Sequence, residues 1–72
     1  MDDMNLNTKL EVAVEILAAK IAKTSKEGYS IEDQKIQILI NEREEMYKGN
    51  NIIIDKIINE YGKEIKRDYQ KV

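Results

Sequence analysis

The chain has 72 residues, 36% of them charged, a net charge of −2, and neither Cys nor His. Disulfides are therefore excluded and the usual ligands of zinc, haem and iron–sulfur clusters are missing, so a domain this small must draw its stability from helix packing or from a partner subunit. Pro is absent and Gly occurs only three times, which, with abundant Glu, Lys, Ile and Leu, predicts an all-α fold; the near balance of charge disfavours nucleic acid as a partner.

The first predicted helix covers about 6–24. Leu6, Leu10, Ala13, Val14, Leu17, Ala18 and Ile21 share one broad face, and Asn5 or Asn7 supplies the N-cap. A second apolar strip, Val12, Ile16 and Ala19, falls roughly opposite the first on a helical wheel. Two readings fit this strip. Either the helix lies centrally with both faces covered within one chain, or the strip meets a second copy; the thin core expected of so short a chain favours the second. Val12, Ile16 and Ala19 are thus the candidate self-association residues.

Ser25 to Ser30 forms a connection, with Gly28 as the turn residue. Ser30 followed by Ile31-Glu32-Asp33 has the pattern of an N-cap and an acidic first turn, so a second helix is expected over about 31–48. Its apolar stripe is Ile36, Leu39, Ile40, Met46 and Tyr47, with the stem of Arg43 alongside. Lys48-Gly49-Asn50-Asn51 then combines a C-terminal cation, a glycine able to take positive φ and an Asn ready to cap the next helix. The third helix, about 51–69, keeps Ile54, Ile57, Ile58, Tyr61, Ile65, Tyr69 and Val72 in phase. That phase runs through Gly62, so one helix is preferred over a break there followed by a short fourth helix. The helices are similar in length, roughly 27 Å at 1.5 Å per residue. Together they predict a single domain over 1–72, an antiparallel three-helix bundle completed by dimerisation.

The residues carry little chemistry. Thr8, Thr24, Ser25 and Ser30 lie in caps or linkers, and the glycines are isolated where a phosphate loop needs a cluster. Glu42, Glu44 and Glu45 match no metal-binding spacing and read as a solvated face. No catalytic residue, cofactor or metal is expected. Lys56, Lys63, Lys66 and Arg67 make a basic stripe, a candidate contact for an anionic partner, but Glu64 and Asp68 dilute it. The stripe therefore reads first as solubility and complement to the helix dipole. The longest apolar runs, Ile38-Leu39-Ile40 and Ile52-Ile53-Ile54, are far below the roughly 20 residues of a membrane span, and the acidic start Met1-Asp2-Asp3 is unlike a secretory signal. The expectation is a cytoplasmic, non-enzymatic interaction or regulatory module that pairs with itself or with another protein. A nucleic-acid-associated accessory protein is the alternative.

Overall fold

A computed structural model describes residues 6–70, with side chains placed from Asn7 to Lys66. Asn5 and Val72 lie outside the described residues, as do the side chains of Leu6, Arg67, Asp68 and Tyr69. Three helices pack into an all-α globule. The first is α1 (Leu6–Lys26) and the second α2 (Gln34–Tyr47); the third joins α3 (Asn51–Lys56), a π-helical turn (Ile57–Tyr61) and α4 (Gly62–Gln70) without interruption. The body is flattened, 37 × 32 × 14 Å, and α1 contacts both α2 and the third helix. Ala13 and Leu17 of α1 meet Leu39 and Met46 of α2 and Ile54 and Ile57 of the third helix in one buried cluster. No described helix is long and apolar enough to cross a membrane.

The turn between α2 and α3 is set by backbone pairing and one side chain. The Asn50 N–H donates to the Glu45 carbonyl at 3.1 Å and the Gly49 N–H to the Met46 carbonyl at 3.0 Å, the paired bonds of a Schellman motif. Gly49 has φ +88°, a conformation that costs a side-chain-bearing residue roughly 1–2 kcal/mol. Asn50 Oδ1 then accepts the Ile52 and Ile53 N–H groups at 3.1 and 3.3 Å and caps the next helix.

The entry to α2 differs from the sequence expectation. The helix starts at Gln34, not Ile31, because Ser30 closes a turn of its own. The Asp33 carboxylate accepts the Ser30 N–H at 2.7 Å, and the Asp33 N–H donates to the Ser30 carbonyl at 3.0 Å. These bonds use the groups that would otherwise begin the helix. Ile31 is left in the turn, 66% exposed.

Gly62 does not break the third helix. Its φ and ψ, −61° and −40°, are helical, and its N–H donates five residues back to the Ile57 carbonyl, closing the π turn. A Cβ at this position would lie 3.2 Å from Ile16 Cδ1, so the glycine lets α1 and the third helix approach closely.

Candidate functional site

Glu42, expected on a solvated face, is instead buried, at 7% exposure. The correction has a local cause, because both carboxylate oxygens have partners from the third helix. Lys56 Nζ donates to Oε2, and the Tyr61 hydroxyl donates to Oε1 at 2.7 Å. On a regular α-helix residues five apart diverge by about 140°, at about 100° per residue. The π turn between Lys56 and Tyr61 takes up an extra residue and brings both to Glu42.

This cluster fastens α2 to the third helix, its three polar groups pairing with one another. Burial, reinforced by the hydrogen bond to Glu42, pushes the Tyr61 hydroxyl up to about 12, so it stays protonated and donating. The bond from Lys56 to Glu42 raises the lysine above its ordinary value. The ammonium groups of Lys20 and Lys56 lie 5.5 and 5.7 Å from the Tyr61 ring centre. Lys20 also donates to both oxygens of Glu64 at 2.9 Å and Lys23 donates to one at 2.7 Å, tying α1 to α4 and holding the Glu64 carboxyl below its usual range. Beside these groups is a cavity of about 250 Å³ whose wall includes Thr24, Lys20, Lys35 and Tyr61. Two of its polar groups are engaged: Thr24 Oγ1 donates to the Lys20 carbonyl at 2.8 Å and Lys35 Nζ to the Tyr29 hydroxyl at 2.9 Å; the Glu27 carboxylate is exposed at its rim. Among the described residues no buried side-chain nitrogen or oxygen lacks a partner, and no group of acidic residues could hold a metal ion.

The open feature lies on the α1–α2 side. A groove of about 280 Å³ runs between Val14, Leu17, Ala18 and Ile21 of α1 and Arg43, Met46 and Tyr47 of α2. Leu17 and Met46 form its floor, each 1% exposed, and Ala18 and Tyr47 stand exposed on its walls. The Arg43 guanidinium lies 5.8 Å from the centre of the Tyr47 ring, a cation–π contact that holds it at the groove edge.

The residues singled out in the sequence are divided by this arrangement. Val12, Ile16 and Ala19 are half-buried, and Ile16 packs on the core beside Gly62. The centre of the strip expected to face a second copy is thus occupied by the chain's own third helix. Of the basic stripe, Lys63 and Lys66 are exposed, Lys56 is drawn to Glu42, and the Arg67 side chain is outside the described part. Sequence reading placed Val14, Ala18, Ile21, Met46 and Tyr47 on apolar stripes without showing that they border an open groove. A signal was available in Ala18, which lies at the edge of its stripe on a helix joined to the next by a short connection. Family models, curated proteins and solved structures give no match to this chain.

Proposed function

We propose that the chain is a non-enzymatic protein–protein interaction module whose working form is a homodimer closed over the α1–α2 groove. The observation that supports it is the groove itself, which has an apolar floor, an exposed aromatic ring and an arginine at its edge. Aromatic and arginine side chains around a buried apolar patch are the groups that contribute most to protein interfaces. A 72-residue chain also gains more than a larger one by sharing buried surface with a second copy. The polar clusters of the molecule support a non-catalytic reading, because their hydrogen-bonding groups are committed to each other.

Sedimentation equilibrium at micromolar concentration tests this. The expected result is a species of about twice 8.4 kDa that dissociates on dilution. Ala18→Glu, which sets a charge in the groove, should shift the equilibrium to monomer while the helical circular dichroism is retained. A wild-type chain that stays monomeric at the highest concentrations would overturn the proposal.

A further inference from the structure

Resting on the homodimer reading, we infer that the groove meets a second copy about a two-fold axis running across it, at the level of Ala18 and midway between Arg43 and Tyr47. Such an axis lays α1 antiparallel on α1 of the other copy and α2 antiparallel on α2. It sets Ala18 beside its own counterpart and each Arg43 against the Tyr47 ring of the other copy.

The spacing of the groove-lining residues carries this choice. Val14, Ala18 and Ile21 line it on α1, four and three residues apart, and Arg43 and Tyr47 line it on α2, four apart. The two helices are consecutive and run in opposite directions, so Ile21 and Arg43 lie toward their connection while Val14 and Tyr47 lie away from it. An axis across the middle of the groove reverses level on each helix. It therefore brings Val14 against Ile21 of the other copy and Arg43 against Tyr47, each pair twice. Ala18, exposed and the smallest of these residues, sits where the two α1 backbones must approach most closely. Arg43 is exposed too, and among the described residues no carboxylate pairs with its guanidinium, which lies 5.8 Å from the ring centre of its own chain's Tyr47. That ring is 56% exposed, so it has surface left for a second guanidinium, and the two attract through the ring quadrupole. An axis along the groove would instead preserve level and exchange the helices, setting Arg43 against Ile21. There the charge would lose water and gain no partner.

The chain has no cysteine, so a single introduced thiol reports which residue lies on the axis. At concentrations where sedimentation shows the wild-type dimer, Ala18→Cys should cross-link to its own counterpart under mild oxidation. Its rate should exceed that of Lys63→Cys, exposed on the third helix, by at least about ten-fold, because the dimer holds only the first pair of thiols together. Arg43→Ala should weaken dimerisation by about ten-fold, since the contact is lost twice, and Arg43→Lys by less. All of these positions are exposed, and helicity by circular dichroism confirms that each variant is folded. A wild-type dimer in which Ala18→Cys cross-links no faster than Lys63→Cys would overturn the axis and leave the homodimer standing. Affinity unchanged by Arg43→Ala would overturn the pairing of Arg43 with Tyr47, and a monomeric wild type would remove both readings.

Discussion

On one side of α1, Ile16 is met by Gly62 so closely that a Cβ at the glycine would lie 3.2 Å from its Cδ1; on the other, Ala18, two residues along, stands exposed beside Val14 and Ile21. Both sides are apolar in sequence and both touch the core, but the second leaves Ala18 exposed. The difference comes from the third helix, which is held on the Ile16 side by Lys20 and Lys23 on Glu64 and by Lys9 near Asp55 at 3.5 Å. Apolar character alone does not mark a surface for a partner. What matters is which strip remains after the chain has packed its own helices.

The sharpest way to break this comparison is to place a carboxylate on each side of α1. Ile16→Glu should lower stability by about 2 kcal/mol, because it forces a charge against the core and the third helix. In a domain of this size that is a large share of the total, and a thermal unfolding midpoint lowered by several degrees would show it. Glu42→Ala should cost about 1–3 kcal/mol, since it strands the Tyr61 hydroxyl in a half-buried site. Combining Glu42→Met with Tyr61→Phe should recover most of that loss by removing both polar partners, and chemical denaturation of the variants measures it.

Alkaline pH offers a finer probe of the same cluster. The native Tyr61 hydroxyl titrates at about 12 against an ordinary value of 10.0, and Lys56 is also raised above 10.5. A raised native value stabilises the fold below the unfolded value and is lost as pH climbs through the native one. The contribution is complete at neutral pH and disappears between pH 10 and about 12. Tyr61→Phe should flatten this part of the stability profile. The smallest effect on stability belongs to Ala18→Glu, which should stay within about 0.5 kcal/mol of wild type in the monomer because the residue is exposed.

The three helices were legible from periodicity, and the α2–α3 turn from Gly49 and Asn50, because those signals are local. Ser30 misled because Asp33, three residues on, turned back on it before the helix could begin. Glu42 was hidden for a different reason. Its burial depends on Lys56, fourteen residues away, and on a π turn that a fixed 3.6-residue wheel does not represent. The second strip on α1 was visible, but its neighbour was not. Gly62 raises in sequence only the question of a break in its own helix, whereas its consequence is contact with Ile16 on another.

Backbone amide NMR on serial dilution tests the central distinction between the two sides of α1 most directly. Concentration-dependent shifts are expected at Ala18, Ile21, Arg43 and Tyr47, with Ile16 and Gly62 unchanged. Shifts centred on Val12, Ile16 and Ala19, or none across the micromolar to millimolar range, would contradict a dimer closed over the α1–α2 groove.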